Sequence, residues 1–174
     1  ETGIMDYKAG IHYETQKIMK SGTKPDFTFY LPDNKTINMD SKFPLTIYME
    51  IAKLNRDLEN ETLDEIAKRE ITESIKNKNK EFLDKAIKTK IDETATREGY
   101  ISPDEDTVDF VLMYIPLENL YHFLLTSVIG ASKIPVIEYA FSKKVILVSP
   151  QTLMAYLETI RHSMKLFSLS LIHI

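Results

Sequence analysis

Residues 108–115 and 145–148 are apolar almost without interruption, and both runs have the length of a strand, not of a helix. A strand without a polar face tolerates water on neither side, so each must lie in a sheet covered on both faces. Between and after them the spacing turns helical, at 117–125 and again at 135–142. Ser149 then supplies an N-cap and Pro150 a first helical position for a closing helix. Strands that alternate with helices in this way form a mixed α/β sheet with helices on its faces. With 174 residues and no internal repeat or linker-like stretch, the chain reads as one domain over 1–174. Its last residues, 166–174, form an apolar tail expected to pack against the domain or a partner.

The first half adds a hairpin. Residues 11–19 read as a short strand, and 25–31 and 36–42 each alternate apolar with polar side chains. Pro32, Asp33, Asn34 and Lys35 between the latter two supply turn chemistry. Pro44 suits the first turn of a helix through Tyr48, Ile51 and Leu54. Thr62 to Glu65 fits a capping box. Behind it, Ile66, Ile71, Ile75, Phe82, Ile87 and Ile91 recur at helical spacing, giving one long helix or two in tandem over 62–92. Residues 98–107, with Gly99, Pro103 and several acids, read as a loop.

Matching apolar to apolar across the hairpin fixes its register, because a slip of one residue would turn every side chain over. A turn centred on Asp33 achieves the match and places Thr28 opposite Asn38 and Asp26 opposite Asp40, with Lys42 two residues further along the same face. Opposed residues have Cβ atoms about 4.5 to 5.5 Å apart, so two like charges meet. Two readings fit. In one, Asp26 and Asp40 share an oxygen-loving divalent cation while Lys42 orients a water for attack on phosphorus. In the other the three residues are a solvated surface cluster.

Several chemistries drop out. The chain has no cysteine, which removes disulfides, zinc ribbons, thiol nucleophiles and iron–sulfur clusters, so any metal binds oxygen or imidazole. Five glycines make no Walker or dinucleotide loop, and the four histidines share no ligand spacing. Ser149 lacks the flanking glycines of a nucleophile elbow. The formal charge of −4 does not steer the molecule onto nucleic acid, so a polyanion needs a local basic patch. Lys78, Lys80 and Lys85 on the long helix offer one, although such a stripe also serves as a plain solvated face. Tyr48 reads as a phosphate-positioning group or as ordinary packing. No stretch has the length of a membrane span and no signal peptide opens the chain, so the expected location is cytoplasmic.

Pro25-Asp26 followed by Asp40-Ser41-Lys42 fits the Pro-Asp…(Asp/Glu)-x-Lys pattern of the PD-(D/E)XK nucleases. The surrounding blocks are more specific: Lys24 to Phe27, Asp40 to Pro44, Val108 to Pro116 and Val145 to Leu153 resemble successive blocks of the RmuC family of DNA recombination proteins. The resemblance implies a restriction-endonuclease-like fold and a metal-dependent DNA nuclease acting in recombination or repair. Asp26 and Asp40 would hold Mg2+ or Mn2+, Lys42 would be the catalytic lysine, and Glu14 and Gln16, on one strand face with His12, would border the site. DNA is then the partner and no small-molecule cofactor is implied. Longer members of the family carry a membrane anchor and a coiled coil, so homo-oligomers would form through regions absent here, and this piece would itself touch no membrane. Members also have a helix with Trp-Gly-Glu just upstream of this stretch, whereas this sequence has no Trp, so the first helix is expected to be missing. The alternative is a DNA-binding scaffold that keeps the nuclease fold without cutting; a nucleotide phosphohydrolase is a third reading.

Overall fold

The computed structural model describes residues 8–31, 34–41, 43–102, 104 and 106–171. Its centre is a five-stranded mixed sheet in the order β1-β2-β3-β4-β7, formed by β1 (Tyr13–Thr15), β2 (Phe27–Tyr30), β3 (Thr36–Asp40), β4 (Val111–Tyr114) and β7 (Val145–Val148). The first three strands run antiparallel, and β3, β4 and β7 run parallel. Parallel neighbours require crossovers. The first is α1 (Leu45–Leu58), α2 (Glu65–Glu81), a π segment (Phe82–Ile87) and α3 (Lys88–Thr96). The second is α4 (Glu118–Leu125), a small hairpin of β5 (Val128–Ile129) and β6 (Ile134–Pro135), and α5 (Val136–Ser142); α6 (Pro150–Leu171) follows β7. Among the described residues, no helix is long and apolar enough to cross a membrane.

Both apolar runs became strands, and strand alternation splits them between two cores. On β4, Val111 and Met113 point with Val145 and Leu147 into the larger core, which also holds Phe82, Ile87, Ile91, Tyr100, Leu120 and Leu124. Leu112 and Val148 point the other way, joining Phe29, Ile37, Met39 and Leu157 of α6. Covering on both faces is what their composition demands. Ser149 caps α6 as expected: its Oγ accepts the Thr152 N–H at 3.2 Å, and its own N–H donates to Thr152 Oγ1 at 2.7 Å.

Several expectations differ in detail. The strand expected over 11–19 is only three residues long, because Gly10 and Gln16 hold φ of +78° and +53° and bend the chain off the sheet at both ends. The helix expected from Thr62 starts at Glu65. Asn60 Oδ1 engages both the N–H and the hydroxyl of Thr62, and Asp64 becomes the N-cap, accepting the Ala67 N–H at 2.7 Å. The long helix also widens into π geometry at 82–87. Phe82 and Ile87 are both fully buried, yet five α-helical residues turn the second roughly 140° from the first. A π turn brings them to one face. The same segment aims Asp84 at the small hairpin, where it accepts the Gly130 N–H at 2.7 Å.

Candidate functional site

The β2–β3 register matches the sequence reading: Phe27 pairs with Met39, Thr28 with Asn38, Phe29 with Ile37 and Tyr30 with Thr36. The turn closes with the Leu31 N–H donating to the Lys35 carbonyl and Asn34 at φ +59°, while Pro32 and Asp33 lie outside the described residues. Asp26 directly precedes β2 and Asp40 ends β3, so the pairing carries both carboxylates to the end of the hairpin remote from its turn. Lys42, two residues on, lies outside the described residues.

Asp26 is a junction. Its Oδ2 accepts the Ser41 N–H and the Ser41 hydroxyl, each at 2.8 Å, and its Oδ1 accepts Gln16 Nε2 at 2.9 Å. Asp40 is 2% exposed, and the Tyr100 hydroxyl stands 3.4 Å from its Oδ1. Burial, then the negative charge of Asp40, pushes the Tyr100 phenol up to about 12; Asp26 adds to the rise and Arg97 opposes it. Both carboxylates therefore act on one buried phenol. Arg97 is itself raised, first by its hydrogen bond with Tyr100 and further by the charges of Asp40 and Glu93.

One strand position inward, Asn38 is fully buried and its amide is used completely for structure. Thr28 Oγ1 donates to its Oδ1 at 2.7 Å, and its Nδ2 donates to the carbonyls of Gly99 (3.2 Å) and Tyr100 (3.1 Å). Gly99 is needed there. It holds φ +79°, and a Cβ would stand 2.5 Å from Ser21 Oγ and 3.0 Å from Met19 Cβ. The stretch read from sequence only as a loop thus forms the floor of the site.

Hard carboxylate oxygens suit a magnesium- or manganese-type ion, which is commonly held by one or two carboxylates with water completing its shell. The donor set of Asp26 and Asp40 fits such an ion. Among the described residues, no group of three Asp, Glu, His or Cys side chains could hold a metal.

Glu14 and Gln16 part company. Gln16 reaches Asp26 from a bend, not from the strand face that alternation predicted. Glu14 pairs with Thr28 across β1 and β2, but its Oε2 accepts the Tyr30 hydroxyl at 2.6 Å, toward the turn end of the hairpin. That bond, with burial and the Glu14 charge behind it, pushes the Tyr30 phenol up to about 12. His12 directly precedes the strand, and its Nδ1 accepts the Lys8 N–H at 2.9 Å. Tyr48 packs on the larger core, its ring 6.2 Å from that of Phe82.

Sequence reasoning missed Ser41, Arg97 and Tyr100. The one local signal was Gly99, a glycine followed by an aromatic residue in a loop rich in acids.

The sequence profile of the RmuC family matches residues 5–170, nearly the whole chain. The chain belongs to the RmuC family. Similar curated relatives include the DNA recombination protein RmuC homolog of Pasteurella multocida, 34% identical over 162 residues, covering 87% of this chain and 26% of the relative. Those of Neisseria meningitidis serogroup A and Haemophilus influenzae are 31% and 30% identical, over 79% and 88% of this chain and 20% and 29% of the relatives. This RmuC-family chain therefore spans about a quarter of the length of the relatives it matches. No solved structure matches it. The matched region contains Asp26, Asp40, Arg97 and Tyr100, so the whole carboxylate cluster lies within the RmuC-like part.

The lysines of the long helix are mostly paired with acids. Lys78 makes an ion pair with Glu50 of α1 at 2.5 Å, and Lys85 one with Glu81 at 3.2 Å. Lys76, Lys88 and Lys90 pair with Glu73, Asp92 and Glu93. Lys80 is exposed.

Proposed function

We propose that this chain carries a metal-dependent DNA nuclease site of the PD-(D/E)XK type, acting in DNA recombination. The observation that carries the reading is the placement of Asp26 and Asp40 together at one end of an antiparallel hairpin whose next residues are Ser41 and Lys42. The name shared by the relatives, DNA recombination protein, supports the process. A bound Mg2+ or Mn2+ supplies charge stabilisation at the scissile phosphate and lowers the pKa of a water. The chain's own part is to hold the two carboxylates at one end of the hairpin and to supply the Lys42 ammonium. Water is the nucleophile and no covalent enzyme intermediate forms.

Cleavage of a DNA substrate in Mn2+ and in EDTA, by the parent and by Lys42→Ala, tests this reading. It predicts cutting by the parent in Mn2+ alone, with a loss of about a hundredfold or more in the variant. Equal cutting by both would refute the role of Lys42. DNA binding without cleavage would favour the scaffold reading.

We further assign the DNA path to the α2 and π-segment lysines. Charge reversal at Lys80 and Lys85 is expected to weaken DNA binding and to reduce the slope of log affinity against log salt by about 0.9 for each phosphate no longer neutralised. Lys78→Glu is less clean, because it also places a second acid against Glu50 of α1. An unchanged slope by fluorescence anisotropy would make these lysines plain surface.

A further inference from the structure

We propose that Tyr100, backed by Arg97, is the positioning residue of the carboxylate pair and sets the spacing of Asp26 and Asp40. The inference rests on reading those two residues as a shared cation site.

The tyrosine is held from three sides. Its ring is completely buried in the larger core, and its carbonyl, with that of Gly99, accepts from Asn38, two residues before Asp40 on the same strand. The Arg97 guanidinium lies 5.4 Å from the ring centroid. With ring and backbone fixed, the hydroxyl has a fixed position. It stands 3.4 Å from Asp40 Oδ1 and 3.3 Å from the Lys24 carbonyl, two residues before Asp26. One hydroxyl therefore touches both segments where their carboxylates emerge.

A phenylalanine would fill the same apolar space without placing a polar atom in the core, so packing alone does not account for the hydroxyl. Its contacts do: its single proton is shared between one oxygen of Asp40 and the Lys24 carbonyl, which ties together the two segments that carry the carboxylates. In the contact with Asp40 the hydroxyl donates and the carboxylate oxygen accepts. Arg97 hydrogen-bonds with Tyr100, and its positive charge interacts with Asp40.

Groups that orient metal ligands typically change metal affinity 10- to 100-fold when removed. Mn2+ binding to the full chain, followed by calorimetry on the parent, Asp40→Asn, Tyr100→Phe and Arg97→Gln, is the test. Tyr100→Phe keeps the ring and is expected to weaken Mn2+ binding about tenfold or more, with Arg97→Gln weaker by a smaller factor. A purely structural tyrosine would lower the melting temperature and leave affinity alone. Parent-like affinity in a folded Tyr100→Phe overturns the positioning role while leaving the cation pair intact. If that variant does not fold, Arg97→Gln decides by the same criterion. No Mn2+ binding by the parent, or equal binding by Asp40→Asn, overturns the cation pair itself and this inference with it.

Discussion

Asp40→Asn is expected to abolish Mn2+ binding while leaving the melting temperature within a few degrees of the parent. Asparagine has nearly the volume of aspartate, and its amide oxygen still accepts from the Tyr100 hydroxyl, so the 2%-exposed position keeps its packing. What disappears is the negative charge. That charge, together with the one on Asp26, is what the proposed shared cation would bind. Calorimetric titration and a melting curve on the same sample check both parts. Retained Mn2+ affinity would place the cation elsewhere, and a collapsed fold would mean that the Asp40 charge is structural.

The largest loss of stability is expected from Phe82→Ala. Phe82 is 0% exposed and stands where three elements meet, its ring centroid 6.1 Å from Phe43, 6.2 Å from Tyr48 on α1 and 6.4 Å from Phe123 on α4. Truncating a ring in such a place removes its transfer free energy and leaves a cavity, which costs about 3 to 5 kcal/mol. For a domain of this size that corresponds to a melting temperature lower by roughly 10 °C. The effect should reach the site, because Phe43 directly follows Lys42. Denaturant unfolding measures the cost, and a loss below about 1 kcal/mol would contradict the packing described for this junction.

What the sequence disclosed, and what it hid, follows from the distance over which each feature is determined. The β2–β3 register was readable because turn residues and apolar matching act within a few positions, and the β4 and β7 runs were readable because their composition admits no wet face. The Ser149 cap was equally local. The short β1 was not, since the positive φ at Gln16 belongs to a residue whose identity does not announce it. Gln16 reaches Asp26 through that bend, so its proximity was expected for the wrong geometric reason. The π turn at Phe82 satisfies two buried side chains five residues apart, a demand that becomes visible only once the core is assembled. Tyr100 meets Asp40 across 60 residues of chain, and no local pattern encodes such a contact. The lysine stripe shows the same limit, for Lys78 finds its partner on a different helix, at Glu50.

The central claim is that Asp26 and Asp40 share one divalent cation. Anomalous scattering from crystals of this chain grown with Mn2+ tests it most directly. The account predicts a single strong manganese peak about 2.1 Å from a carboxylate oxygen of each residue, lost in crystals of Asp40→Asn. A peak bound to other side chains, or none at a manganese concentration that supports DNA cleavage, would contradict it.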